Sequence, residues 1–212
     1  MANLITLSRF LLLFLLVAFA YEASAEWQLL NVPLLLLIIL LDGVDGYVAR
    51  RRNETSTFGS IFDIAVDRVV ETVLWVVFGD LGLVPIWVAL VFIIRGHIVD
   101  SIRNAAVSRG ESDSAFGVMR SPLGRFLVAG RFMRAFYGAA KMVTFAWVLL
   151  LQPMPALAPA AWQAWAPTLQ AITLTLIYLS VILCLARGVP VVAEFLGQQR
   201  VFQRDRVAGQ PG

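Results

Sequence analysis

Residues 42–67, DGVDGYVARRRNETSTFGSIFDIAVD, contain four aspartates and have apolar sequence on both sides. Asp42 and Asp45 are three residues apart and Asp63 and Asp67 are four apart, so each pair shares one face of a helix. Two helix ends joined by a short polar turn would direct all four carboxylates toward one place. Because a carboxylate at membrane depth costs about 2.5–3.5 kcal/mol, we expect a divalent cation between them.

The aspartates define the kind of cation that this stretch would bind. Carboxylate oxygens suit Mg²⁺ or Mn²⁺, and no histidine or cysteine lies nearby to favour zinc or copper. Four carboxylates are enough for two ions, which lie about 3.5–4 Å apart in typical two-metal sites. A structural Ca²⁺ loop and a solvated acidic cluster are the alternatives. An EF-hand loop would need its oxygens in one continuous turn, whereas helical spacing separates them here.

The same stretch resembles the signature of the CDP-alcohol phosphotransferases, which are integral membrane enzymes of phospholipid synthesis. The matching positions are Asp42, Asp45, Gly46, Ala49, Arg50, Gly59, Asp63 and Asp67. The resemblance implies that all four aspartates bind metal and that Asp67 is also the general base for the acceptor hydroxyl. It implies a CDP-binding set made of Gly46, Ala49, Arg50, Ser56 and Gly59.

Several of these residues also have an ordinary structural interpretation. Gly46 and Ala49 let a nucleotide approach the backbone, but helix packing favours small residues too. The guanidinium of Arg50 presents a fork to phosphate oxygens, whereas Ser56 is a common turn residue. Glu71 extends the aspartate face by one turn, where it either tunes the base or hydrogen-bonds within the bundle.

The composition is that of a membrane protein. Hydrophobic residues make up 59% of the 212 residues and the mean hydropathy is +0.79, which is too apolar for an ordinary soluble domain. A single cysteine, Cys184, and a single histidine, His97, exclude an intramolecular disulfide, a cysteine-based zinc site and a histidine-rich metal site. We expect Cys184 to be buried or lipid-facing and His97 to pack or hydrogen-bond. Nothing indicates a nucleic-acid partner.

We predict an all-α membrane protein with six transmembrane helices in one bundle. The spans are expected at about 4–21, 33–52, 58–78, 86–107, 130–151 and 167–187. A short amphipathic helix is expected at 122–129, within a loop that covers 108–129. Residues 1–190 would form the catalytic domain, and residues 191–212 would form a partly disordered cytoplasmic tail.

The distribution of basic residues predicts the orientation. The loops at 22–32, 79–85 and 152–166 contain no lysine or arginine, so the positive-inside rule places them outside. Both termini and the aspartates are then cytoplasmic, where CTP-derived substrates are found. A secretory signal is the alternative for the first segment, because a short apolar core leads to Ala-Ser-Ala at 23–25.

The first predicted span carries one cation, Arg9. Together with Asn3 and Thr6 it resembles the NxxTxxR opening common in the family, which implies a place near the nucleotide. The alternative is a charge that snorkels to the interface and sets the topology.

A second group of cations lies in or beside the fourth and fifth predicted spans. Cations inside a helix bundle need partners, and the phosphate of a phosphorylated acceptor is one candidate. Asp100, Glu71 and phospholipid phosphates are the other candidates. The predicted acceptor-binding residues are Arg95, Arg103, Arg131, Arg134 and Lys141.

The resemblance implies the transfer of a phosphatidyl group from CDP-diacylglycerol to an alcohol, with release of CMP, in a single displacement. We predict glycerol 3-phosphate as the acceptor because of the cations; inositol phosphate, serine and other alcohols stay open. The resemblance also implies a homodimer among membrane lipids. A cation transporter is the alternative from another class, because intramembrane acids also mark ion paths.

Overall fold

A computed structural model of the protein describes the backbone of residues 2–51, 57–108 and 121–208. It describes the side chains of residues 7–44, 62, 64–105, 121–122 and 124–197. Within these ranges every regular element is helical, which confirms the all-α prediction.

Six long helices make up most of the described chain. They are α1 (Ala2–Glu22), α2 (Asn31–Arg51), α3 (Thr57–Asp80), α4 (Ile86–Ser108), α5 (Arg131–Leu151) and α6 (Pro159–Ala208). The bounds of α1 to α5 lie within about two residues of the predicted spans. Short helical turns occur at Ala25–Gln28, Pro122–Gly124 and Met154–Leu157, and a π-helical turn occurs at Arg125–Ala129.

The predicted bounds of the sixth helix are wrong at both ends. We predicted residues 167–187, because prolines and tryptophans before the span suggested an interfacial loop. Pro159 instead begins α6, at a position where a missing N–H is harmless, and the helix continues through Pro167 and Pro190. Interior prolines are tolerated in membrane helices because neighbouring groups satisfy the freed carbonyls. The domain limit at residue 190 and the cytoplasmic tail stay predictions.

Three stretches of the described residues are long and apolar enough to cross a membrane. They are Ala25–Val44, Arg131–Leu157 and Pro159–Gly197. Large apolar side chains such as Leu11 and Phe14 are exposed on α1, as lipid contact would require. The number of six spans and the cytoplasmic termini stay predictions.

A glycine ends α3 and turns the chain toward α4. Gly82 has a φ of +68°, the left-handed conformation in which a side chain would be strained. The Leu83 N–H donates to the Phe78 carbonyl at 2.9 Å, and the Gly82 N–H donates to the Gly79 carbonyl at 3.2 Å. This pair of hydrogen bonds is a Schellman motif, which satisfies the last carbonyls of the helix.

The described contacts divide the chain into two compact units. The first unit contains residues 1–89 and 142–177, and the second contains residues 90–141 and 178–212. The core of the first unit includes three fully buried rings, Trp75 and Phe78 of α3 and Phe145 of α5. The ring centroids of Trp75 and Phe145 are 4.9 Å apart at 70°, and those of Phe78 and Phe145 are 5.7 Å apart at 66°. These tilted arrangements are the favourable ones for aromatic pairs.

The second unit has a smaller aliphatic core in which Val99, Ile102, Val128 and Val191 are buried together. The short turn before it is capped by Ser121, whose Oγ accepts a hydrogen bond from the Gly124 N–H at 3.0 Å. The backbone N–H of Ser121 donates to Glu194 of α6 at 3.1 Å. These bonds fix the segment at 121–129, where the predicted short helix is confirmed as a helical turn that passes into a π-helical turn.

The aromatic cluster of the first unit gives a test of the fold. Trp75→Ala should lower the free energy of unfolding by about 3–5 kcal/mol, because it leaves a cavity between the helices that carry Phe78 and Phe145. Denaturant unfolding in mixed micelles measures this change. Trp165→Ala, at a position 61% exposed on α6, is the matched control and should change it by no more than about 0.5 kcal/mol. Equal effects at the two positions would contradict the assigned core.

Candidate active site

Two of the four predicted aspartates meet at one buried cation. Arg9 of α1 is only 2% exposed. Its Nη1 lies 2.6 Å from Oδ1 of Asp42 on α2, and its Nη2 donates to Oδ1 of Asp67 on α3. The side chains of Asp42 and Asp67 remain 38% and 52% exposed. The guanidinium is therefore enclosed, while the carboxylates that it holds stay open on their other sides.

The other two aspartates lie on the same helices. The backbone of Asp45 lies in α2 and that of Asp63 lies in α3, close to one turn from Asp42 and Asp67 respectively. The side chains of Asp45 and Asp63 lie outside the described residues. The two helices of the predicted arrangement are thus present, and Asp42 and Asp67 contact the same guanidinium. The gathering of all four carboxylates stays a prediction.

The predicted CDP-binding residues lie mainly at the facing ends of α2 and α3. The backbone of Gly46, Ala49 and Arg50 belongs to the last turns of α2, and that of Gly59 to the first turn of α3. Their side-chain surroundings, and Ser56 as a whole, lie outside the described residues. Their role in binding CDP stays a prediction.

The described part of the aspartate set fits a hard divalent cation. Its donors are carboxylate oxygens from two helices that share one guanidinium, and both carboxylates are accessible. No group of three or more histidine, cysteine, aspartate or glutamate side chains occurs among the described residues, which include only two of the four motif carboxylates. Asp45 and Asp63 would have to complete the set.

Glu71, one turn beyond Asp67, forms an ion pair within α3. It is 8% exposed, and its Oε2 accepts a hydrogen bond from Nη1 of Arg68 at 3.1 Å. This contact favours the interpretation that Glu71 hydrogen-bonds within the bundle. Composition had also singled out His97 and Cys184: the Nδ1 of His97 lies 2.9 Å from the Ile93 carbonyl, and Cys184 is buried.

In the second unit, three buried cations surround one aromatic ring, that of Tyr137 on α5. Nζ of Lys141 lies 4.5 Å from the ring centroid, and the guanidinium carbons of Arg187 and Arg95 lie 5.2 Å and 5.8 Å from it. Arg187 also donates from Nη2 to the Val128 carbonyl at 3.2 Å. We call Arg95, Tyr137, Lys141 and Arg187 the Tyr137 cluster. Three cations this close repel one another, so an anion at the cluster would be stabilised.

The cluster contains two of the five predicted acceptor-binding residues, Arg95 and Lys141. Arg103 and Arg134 are half-buried and Arg131 is exposed. Sequence reasoning missed Arg187, which it assigned to the end of the last span beside the tail. Its position was a signal in the sequence, because a cation within an apolar run needs a partner inside the protein.

Arg95 packs against Gly188, where the lack of a side chain leaves room for it. A Cβ added at Gly188 would lie 2.7 Å from Cγ and 3.0 Å from Nε of Arg95, closer than side chains pack. The aliphatic part of the same arginine lines an apolar groove of about 450 Å³ in the second unit, together with residues of α4 and α6 that include Ile94, Ile98 and Val189.

The comparison with known proteins identifies the family. Residues 1–203 match the CDP-alcohol phosphatidyltransferase family, which is nearly the whole chain. The protein therefore belongs to that family, as the resemblance of residues 42–67 predicted.

Individual relatives match over shorter segments. A Mycobacterium tuberculosis (strain ATCC 25618 / H37Rv) protein named as a cardiolipin synthase is 34% identical over 46% of this chain and 47% of its own length. The CDP-diacylglycerol–glycerol-3-phosphate 3-phosphatidyltransferase of Bacillus subtilis (strain 168) is 28% identical over 42% of this chain and 47% of its own. An Arabidopsis thaliana CDP-diacylglycerol–inositol 3-phosphatidyltransferase is 48% identical over 19% of this chain and 18% of its own length. The chain thus spans about half the length, or less, of these relatives.

The contact between Gly188 and Arg95 gives a prediction for the Tyr137 cluster. Gly188→Ala should lower the free energy of unfolding by about 1–3 kcal/mol, because the new methyl group forces Arg95 off its position. Gly197→Ala on the same helix meets no atom within 4 Å and is the control. It should be neutral or stabilise the protein by up to about 1 kcal/mol, since alanine is the better helix former. If both variants stabilise the protein equally, Arg95 does not occupy the assigned position.

Proposed function

We propose that the protein transfers a phosphatidyl group from CDP-diacylglycerol to an alcohol acceptor that carries phosphate, and releases CMP. The observation that carries this proposal is the convergence of Asp42 and Asp67, from two different helices, on Arg9. Membership of the CDP-alcohol phosphatidyltransferase family supports it. A cation transporter would have no use for the eight-position signature, and it would not release CMP.

The residues suggest how each part of the reaction is served. Asp67 accepts the proton of the acceptor hydroxyl, and the resulting oxygen forms a bond to the phosphorus that bears the diacylglycerol. The bond from that phosphorus to the bridging oxygen breaks, and CMP leaves with both electrons of that bond. Arg50 would hold phosphate oxygens of the CDP moiety in a bidentate manner, and the small residues Gly46 and Ala49 would let it approach α2.

Asp42, Asp45, Asp63 and Asp67 would hold two Mg²⁺ or Mn²⁺ ions. When bound, such ions neutralise charge on the diphosphate. Aspartate oxygens are the ligands that these hard cations prefer, and the accessible carboxylates of Asp42 and Asp67 leave room for them.

The Tyr137 cluster is the proposed site for the phosphate of the acceptor. Buried cations bind a phosphate more strongly than exposed ones, because little water competes for them. Glycerol 3-phosphate fits this chemistry because it carries a phosphate. The likeness to the Bacillus subtilis enzyme named for that acceptor supports this choice.

A lipid acceptor is the second candidate, and the apolar groove beside Arg95 is the observation that favours it. Cardiolipin holds two phosphatidyl groups joined by glycerol, so its synthesis from CDP-diacylglycerol requires phosphatidylglycerol as acceptor. An acyl chain of that lipid would lie along Ile94, Ile98 and Val189. The volume of about 450 Å³ is within the usual range of about 300–1,000 Å³ for ligand pockets.

In the membrane we propose six spans, with both termini and the aspartates on the cytoplasmic side. The absence of basic residues from the three predicted outer loops supports this orientation. A homodimer is proposed on the family resemblance alone.

Asp67→Asn should reduce CMP release by about 10²–10⁴-fold, because the variant keeps the shape of the side chain but not its basicity. Binding of CDP-diacylglycerol should be largely retained, which a radiolabelled lipid measures separately. Asp80→Asn is the matched control at the far end of α3, where the carboxylate accepts a hydrogen bond from Tyr21 at 2.6 Å. That variant should turn over as the wild type does. Wild-type turnover in Asp67→Asn would remove the base assignment.

An acceptor screen in vesicles, with CMP as the readout, should give turnover with glycerol 3-phosphate or phosphatidylglycerol and not with serine. Lys141→Gln should raise the KM for the phosphate-bearing acceptor more than it changes the KM for CDP-diacylglycerol.

EDTA should stop the reaction, and Mg²⁺ or Mn²⁺ should restore it. Turnover with serine alone would contradict the role proposed for the Tyr137 cluster, and turnover in EDTA would contradict the metal site.

A further inference from the structure

Arg9 holds the carboxylate oxygens that the proposed metal ions would need. Its two terminal nitrogens contact Oδ1 of Asp42 and Oδ1 of Asp67, one from each helix of the motif. An arginine that snorkels to the membrane surface would expose its guanidinium, yet Arg9 is 2% exposed. Its location in the fold is therefore set by the two aspartates.

The buried guanidinium of Arg9 and the carboxylates of Asp42 and Asp67 stabilise one another. A guanidinium enclosed in a bundle is costly unless carboxylates compensate its charge. The carboxylates in turn repel one another unless a cation lies between them. Arg9 is a positive charge that meets both needs.

We infer that Arg9 is a positioning residue that acts as an internal counter-ion: it keeps Asp42 and Asp67 together before metal binds, and competes with the metal for their negative charge. This inference rests on the metal site of the proposed function. A divalent ion bound to the accessible oxygens of the same two carboxylates would be repelled by the guanidinium, so Arg9 weakens the binding of that ion. The arginine thus prepares the site for metal and limits how tightly metal binds there.

If Arg9 has this role, its removal changes the stability of the protein and its affinity for metal in opposite directions. Removal of the guanidinium should lower the stability of the metal-free protein, because the carboxylates lose their counter-charge. The same change should raise the affinity for metal, because the positive charge that repels the ion is removed. An arginine that served only packing would lower both. An arginine that only touched the nucleotide would change neither in the absence of substrate.

The test uses the full chain in detergent, without substrate, and titrates Mn²⁺ while the EPR signal of the free ion is followed. Arg9→Gln should bind Mn²⁺ about tenfold more tightly than the wild type, since an adjacent charge shifts ionic equilibria at a carboxylate by about one to three powers of ten. Its thermal unfolding temperature should be below that of the wild type in EDTA, and the rise on adding Mn²⁺ should be larger.

Arg68→Gln is the matched control, because it removes a charge of the same sign one residue from Asp67. The described partner of Arg68 is Glu71, so its loss should change Mn²⁺ affinity much less than the loss of Arg9 does. Arg9→Lys should be intermediate, because the compact ammonium cannot bridge two carboxylates as the guanidinium does.

If folded Arg9→Gln binds Mn²⁺ no more tightly than the wild type, the inference is overturned. If that variant does not fold even with Mn²⁺, Arg9→Lys decides, and affinity equal to or weaker than that of the wild type overturns the inference. A wild-type protein that binds no Mn²⁺ would overturn the proposed metal site as well, whereas wild-type binding with no gain in the variants would leave the proposed function intact.

Discussion

Two ionised carboxylates that are brought together repel one another, and a positive charge between them offsets that repulsion. In this protein α1 supplies that charge: Arg9 meets Asp42 of α2 and Asp67 of α3. The side chains of Asp42 and Asp67 are 38% and 52% exposed, so water screens part of their mutual repulsion and the buried guanidinium offsets more of it. The first three helices are therefore held at this point by charge as well as by apolar packing.

The first unit surrounds this contact with a rigid aromatic and aliphatic core. Trp75, Phe78 and Phe145 are fully buried, and Gly82 ends α3 in a turn that leads directly into the next helix. Asp67 thus projects from a helix whose other end is tightly fixed. A packed helix holds a side chain in a fixed geometry better than a loop does, which suits the role of general base proposed for Asp67.

Much of this arrangement could be predicted from the sequence. The three- and four-residue spacings of the aspartates predicted two helices with carboxylates on one face, and the signature predicted the family. The bounds of α1 to α5 followed from the apolar runs and from the charges between them. In each case one local rule, helical periodicity or the cost of burying charge, was sufficient.

Other features depend on partners far away in the sequence. Arg9 was open to two interpretations, because which acids it would meet depends on how α1 packs against α2 and α3. The sequence predicted only that Arg187 lies at the end of the last span. In the structure Arg187, Arg95 and Lys141 all lie close to the ring of Tyr137. The length of α6 was misjudged because proline ends helices in water more strictly than in a bundle where neighbouring groups replace the lost hydrogen bond.

The most direct measurement of the central claim is a structure determined with Mn²⁺, in which anomalous scattering locates the ions. We predict anomalous peaks bounded by the carboxylates of Asp42, Asp45, Asp63 and Asp67, between α2 and α3. Peaks elsewhere in the protein, or carboxylates of the four aspartates too far apart to share an ion, would contradict it.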